Sequence, residues 1–254
     1  HMEYEIDRSG DVGGEPSLSE MTAKAIEILS RNPRGFFLMV EGGRIDHAHH
    51  VSSALRALTD TIEFSNAVRT AIEKTRPEET LIVVTADHGH PFTIGGYPTR
   101  GNDILGKVIA NDRQGRPAEA PAKDQLGLPY TTLGYQIGPG YTGESDAQPE
   151  GPKHLPHLAR KVSGITAGRP DLTDVDTTDP NYLQETTAPL RYGTHSGEDV
   201  TVHAGGPGAA LFDGVQEQHF IYHAMVEALG WNRTIGESER KRGEAEASPA
   251  RSEP

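Results

Sequence analysis

A chain of 254 residues can bury one substantial core, or one core and a smaller lobe. Its formal net charge of −13 argues against a nucleic-acid partner, because phosphate binding needs a basic face. The absence of cysteine excludes disulfides and thiolate zinc sites, and leaves the redox compartment open.

The first expected element is a helix within residues 16–33. Ser17 and Glu20 have capping-box spacing, Met21, Ala25, Ile28 and Leu29 form an apolar stripe, and Asn32-Pro33 stops it. Next comes "GFFLMVE", residues 35–41, a continuous apolar run of the kind found in strands buried on both faces. It leads into "VEGGRIDHAHH", residues 40–50, which places two acids and three histidines in eleven residues. An amphipathic helix follows over 52–74, carrying Leu55, Leu58, Ile62, Phe64, Val68 and Ile72. "TLIVVTADHGH" reads as a second buried strand over Leu81–Thr85, and it too ends in acid and histidine. Helix alternating with strand predicts an α/β fold with a mostly parallel, covered sheet.

From Pro91 to Leu190 the texture changes. Gly, Pro, Asp and Thr dominate, with one clear strand in "YTTLGYQIG", and this stretch reads as an inserted irregular lobe. Order returns at "YGTHSGEDVTVHAGGPG", where Val200 and Val202 imply a short strand. The helix "VQEQHFIYHAMVEALG" then ends at Gly230. The expected organisation is a core segment over 1–92, the lobe over 93–190, a second core segment over 191–230 and a disordered tail over 231–254. No stretch approaches the roughly 20 apolar residues of a membrane span. No signal-peptide or lipid-anchor pattern is visible in this sequence.

The two expected strands share a feature. Glu41, Asp46 and His50 follow the first, and Asp87 and His88 follow the second. Ligands of open α/β sheets bind beyond the carboxyl ends of strands, so the clusters converge if the strands are neighbours. Imidazole with carboxylate and no thiolate suits zinc in a catalytic setting, or another divalent transition metal. Asp46 and His50 share one side of a helical turn. Asp87 and His88 are adjacent and need a sharp bend, which Gly89 permits. One acid–histidine pair alone is mostly a solvated pair; two such clusters at two strand ends favour a metal site. His195, between Gly193 and Gly197, is a plausible third partner for the first cluster. His219 and His223 read as helix-face residues, and His154 and His157 as loop residues.

These segments, with "GGYPTRG", "GPGY", "THSGEDVTV" and "GVQEQHFIYHAM", resemble alkaline phosphatase, the animal-type branch more than the enteric bacterial one. The resemblance runs from about Tyr4 to Leu229, with a divergent stretch around Ala110 to Thr187. It implies part of an α/β/α sandwich with a mostly parallel sheet and a crown-like lobe. It also implies a first zinc on Asp46, His50 and His195, and a second zinc partly held by Asp87 and His88. Glu41 corresponds to a magnesium ligand, Glu15 to a calcium carboxylate, and His47 to a residue near phosphate and magnesium. The implied substrates are phosphate monoesters, the implied assembly a homodimer, and the implied setting extracellular or the cell surface. Asn232 starts a glycosylation sequon.

The family's nucleophilic serine lies in an Asp-Ser-Ala type segment, which is not found here, and its clamping arginine and a further metal-binding aspartate are also unmatched. The expectation is therefore a C-terminal half without a nucleophile, which needs an N-terminal half as its partner. The alternatives are a noncatalytic metal-binding fragment or truncated paralogue, and a related metallohydrolase such as a sulfatase or cofactor-independent phosphoglycerate mutase. "GGYPTRG" and "THSGEDV" resemble the phosphatase branch only.

Overall fold

The computed structural model describes residues 1–231, so the expected tail and Asn232 lie outside the described residues. The chain forms two compact units. The first joins residues 1–70 and 88–199; the second joins residues 71–87 and the chain from Val200 onward.

In the first unit, α1 spans Leu18–Leu29. Its capping box forms as the spacing requires. The Ser17 Oγ accepts the Glu20 N–H at 3.2 Å, and the Glu20 carboxylate accepts the Ser17 N–H at 2.8 Å. The buried face is set by Thr22 and Ile26, whereas Ile28, expected in the stripe, is exposed. A carboxylate from α3 (Ala54–Lys74) completes the cap: buried Glu63 accepts the Ser19 N–H at 2.8 Å. Orphan donors and the positive end of a helix dipole both favour an anion there. Burial pushes the Glu63 pKa up, but the hydrogen bonds from Ser19, Asn66 and Ser17 outweigh it and hold the group at about 2.

Between these helices the structure departs from expectation. Residues 35–41 form no strand, and Phe37 and Met39 are 57% and 74% exposed. A strand needs neighbours to take its backbone N–H and C=O groups. No strand among the described residues pairs with this segment. Helix α2 follows at Arg44–His50, and the chain turns into α3 through Ser52, fully buried at a left-handed φ of 59°.

The strands are β1 (Ile82–Thr85), β2 (Phe92–Ile94), β3 (Leu133–Gly138), β4 (Thr186–Pro189) and β5 (Val202–Gly205). The first unit contains a three-stranded sheet in the order β2-β3-β4, with β2 antiparallel and β4 parallel to β3. The large, fully buried side chains Val108, Leu172, Tyr182 and Leu183 all come from residues 93–190, so this loop-rich stretch packs tightly. Glycine makes the close approach possible: a Cβ on Gly140 would stand 1.9 Å from the Gln184 carbonyl oxygen. Lys153 is buried with it, its Nζ donating to the carbonyls of Pro149 at 2.6 Å and Gly151 at 2.9 Å.

In the second unit, β1 pairs antiparallel with β5, Ile82 opposite Gly205 and Thr85 opposite Val202. The expected strand over Leu81–Thr85 is present but half-buried rather than buried on both faces. Helix α4 covers Phe220–Ala228, and Gly230, at φ 67°, stands where the turn after it needs a left-handed residue. The protein mixes helices with small sheets, but among the described residues only the β3–β4 pair is parallel. The expected mostly parallel sheet is therefore not formed among the described residues, where the expected strand over 35–41 has no strand partner. No helix among the described residues is long and apolar enough to cross a membrane.

Candidate metal centre

Three segments of the first unit meet at one point: α2, the loop 88–90 and the loop 193–196. Backbone bonds bring them together. The Gly193 N–H donates to the His50 carbonyl at 2.8 Å, and the Ser196 N–H donates to the Gly89 carbonyl at 3.0 Å. His50 Nδ1 stands 2.6 Å from the Gly193 carbonyl oxygen, which can only accept. The proton is thereby fixed on Nδ1, and the Nε2 lone pair faces the cluster. A Cβ on Gly89 would lie 2.6 Å from the Ser196 Oγ, so any other residue at this crossing would force the Ser196 hydroxyl to move.

Asp46 Oδ1 is the focus of four imidazoles. It lies 2.7 Å from His90 Nε2, 3.2 Å from His50 Nε2, 3.5 Å from His195 Nε2 and 3.8 Å from His88 Nε2. His50 Nε2 and His195 Nε2 are 3.3 Å apart. Ligand atoms of Asp46, His88, His90 and His195 all lie within 4.8 Å of one another. A tetrahedral zinc with bonds of about 2.0–2.1 Å spaces its ligand atoms about 3.3 Å apart. The edges of the Asp46–His50–His195 triangle, 3.2, 3.3 and 3.5 Å, fit that spacing. Side-chain exposure of 46% at His195 leaves one side of the centre open to solvent.

The electrostatics agree with a cation site. Burial raises the Asp46 pKa, but the hydrogen bond from His90 and the fields of His50, His90 and His88 outweigh it, so the carboxylate stays ionised below its ordinary range. Burial lowers the His90 pKa against the pull of Asp46. Burial also lowers His49 to about 4, aided by His90. A ligand imidazole must offer a metal an unprotonated nitrogen, which the Gly193 bond gives His50 at Nε2.

The remaining expected residues divide. Asp46, His50, His88 and His195 come together. Asp87 is exposed, and belongs to the second unit although it directly precedes His88. Glu41 is exposed at the end of the unpaired segment. His47 faces away toward the chain start, its ring 4.6 Å from that of His1 and its Nδ1 3.5 Å from an Arg44 nitrogen. Glu15 accepts the Glu3 N–H at 2.7 Å. His157 is a buried structural histidine, bonded to the Pro139 carbonyl at 2.9 Å and the Ser145 Oγ at 3.0 Å. His90 was not singled out by the sequence reading, although it makes the shortest contact to Asp46. Its only sequence signal is the repeated histidine in "DHGH".

A family model for alkaline phosphatase matches residues 1–231. The chain belongs to the alkaline phosphatase family. The chicken tissue-nonspecific alkaline phosphatase isozyme is 44% identical over 235 residues, 91% of this chain and 38% of the relative. The human tissue-nonspecific isozyme is 42% identical over 236 residues, 92% of this chain and 38% of the relative. This alkaline phosphatase chain thus spans well under half the length of the curated relatives it matches. Among solved structures, a mutant of TAB5 alkaline phosphatase with Mg bound in its M3 site aligns at TM-score 0.47 and 22% identity, over 84% of this chain and 41% of that one.

Proposed function

We propose that this chain is the metal-carrying C-terminal portion of a zinc- and magnesium-dependent phosphomonoesterase. The observation that carries the reading is the Asp46–His50–His195 triangle, tetrahedral in its spacing, in a chain of the alkaline phosphatase family. These three residues would hold a first zinc. His88, joined by Asp87, would give part of a second zinc site, Glu41 part of a magnesium site, and Glu15 a carboxylate to calcium. Divalent metals held there would supply Lewis acidity toward phosphoryl oxygens and an activated water.

The chain's own residues supply position and tautomer. His50 keeps its proton on Nδ1 through Gly193, and Asp46 stays ionised among its imidazoles. The open side at His195 gives a phosphate monoester its approach, whereas His47, turned toward His1, lies away from it. The nucleophile and the arginine clamp would come from the remainder of the family's length. A homodimer at the cell surface or outside the cell is the setting proposed for the whole protein.

Metal analysis after dialysis tests the centre. The purified chain should retain about one zinc, and His195→Ala should lose most of it, because a three-ligand site loses a full bond. Equal zinc in both proteins would end the assignment.

A further inference from the structure

His90 has a weakness that its neighbours repair. Its Nε2 bonds Asp46 Oδ1 at 2.7 Å, but its Nδ1 is buried without a hydrogen-bond partner. Metal-site imidazoles and their outer partners are commonly fixed through both nitrogens. A ring held at one nitrogen is free to tilt about that bond, so packing must set its plane. His49 stacks face to face on His90, with ring centroids 4.9 Å apart and planes at 22°, while His50, His88 and His195 meet the ring edge-on.

His49 is in turn held by the loop-rich stretch. Its Nδ1 lies 2.7 Å from the hydroxyl of Tyr135 on β3, 86 residues away in sequence. Phe92 on β2 closes the cluster, 5.2 Å from His49 and 5.1 Å from Tyr135 between ring centroids. Tyr135 is only 3% exposed, and its strand is paired on both sides. This makes it a rigid post.

We propose that Tyr135 is a positioning residue of the metal centre: its O–H donates to His49 Nδ1, and the His49 ring fixes the plane of His90 against Asp46. Through this relay Tyr135, in the 93–190 stretch, bears on the hydrogen bond from His90 to the ligand Asp46. With Nδ1 accepting, the His49 proton stays on Nε2, and the ring cannot flip without leaving the hydroxyl unpaired. The inference rests on the metal-centre reading above.

The test is zinc affinity, measured by competition with a chromogenic chelator at fixed pH, for the full 254-residue chain and three variants. Tyr135→Phe keeps the ring and removes the hydroxyl. Outer-shell partners of metal ligands are worth roughly 10–100-fold in affinity, and a residue one step further out should weaken binding about 10-fold, at the low end. His49→Phe keeps a ring over His90 and removes the acceptor; it should show a similar loss, and it carries the test if Tyr135→Phe does not fold. Leu133→Ala empties a buried position on the same strand and leaves the Tyr135 hydroxyl and the His49 ring in place. It should lower the melting temperature while leaving zinc affinity within about twofold. Long-range proton–nitrogen spectra should show an unprotonated Nδ1 at His49 in the wild type and a mixture of tautomers in Tyr135→Phe.

Unchanged zinc affinity in Tyr135→Phe overturns the relay. So does an equal loss in Leu133→Ala, which would make the effect one of strand stability. A wild-type chain that binds no zinc removes the metal-centre reading, and the relay with it.

Discussion

Ser52 shows how a single position can be improved. It is fully buried at φ 59°, and its Oγ has no hydrogen-bond partner. A non-glycine residue in the left-handed region costs about 1–2 kcal/mol, and a buried unpaired hydroxyl costs about 1–3 kcal/mol. Glycine relieves both, offset by its extra freedom in the unfolded chain, about 0.5–1 kcal/mol. Ser52→Gly should therefore stabilise the protein by at least about 1 kcal/mol, read as a melting temperature raised by roughly 2–4 °C or more. A lowered melting temperature would mean that the hydroxyl has a partner after all. At this scale the sequence was partly legible. Asp46, His50 and His88 stood out because acid and imidazole cluster along the chain, whereas a lone His195 reads as a loop histidine until the family resemblance adds it to the first cluster. His90 did not, because its role depends on a carboxylate 44 residues earlier, and neither did the Tyr135–His49 bond across 86 residues.

Single elements were legible where their signals are local. The α1 cap is a contact over three residues, and it formed as the spacing of Ser17 and Glu20 required. The Glu63 contribution to that cap was hidden, since it crosses 44 residues from α3 to Ser19. Glu63 also gives the helix pair a pH dependence. Its pKa, about 2 when folded against an ordinary 4.5, contributes stability that is present above pH 4.5 and lost as pH falls toward 2. The full loss would be about 3 kcal/mol. Glu63→Gln should thus be less stable than wild type at pH 7 and converge with it near pH 2; parallel denaturation curves at both pH values would contradict this. The "GFFLMVE" run shows the opposite limit: its apolar pattern was plain, but a strand is a property of its neighbours, and the described residues provide none.

At the scale of the whole molecule, the chain has a group of Asp46, His88, His90 and His195 that could hold a metal ion, and it spans 38% of the chicken relative's length. On the proposed reading it should not release phenol from a chromogenic phosphate ester at alkaline pH with zinc and magnesium. Activity should appear on adding a polypeptide that covers the rest of the family's length. Family-like turnover by the chain alone, abolished by Asp46→Ala, would place an unrecognised nucleophile among these residues. The way the centre is assembled has one more consequence. Its members Asp46 and His195 are separated by 149 residues, so a bound ion would act as a rivet through three distant stretches of the chain. An ion that binds only the folded form stabilises it by about 1.4 kcal/mol for each tenfold rise in free metal above the dissociation constant. Folding yield would then track metal supply, so the ion would act on whether this chain folds at all as well as on its chemistry.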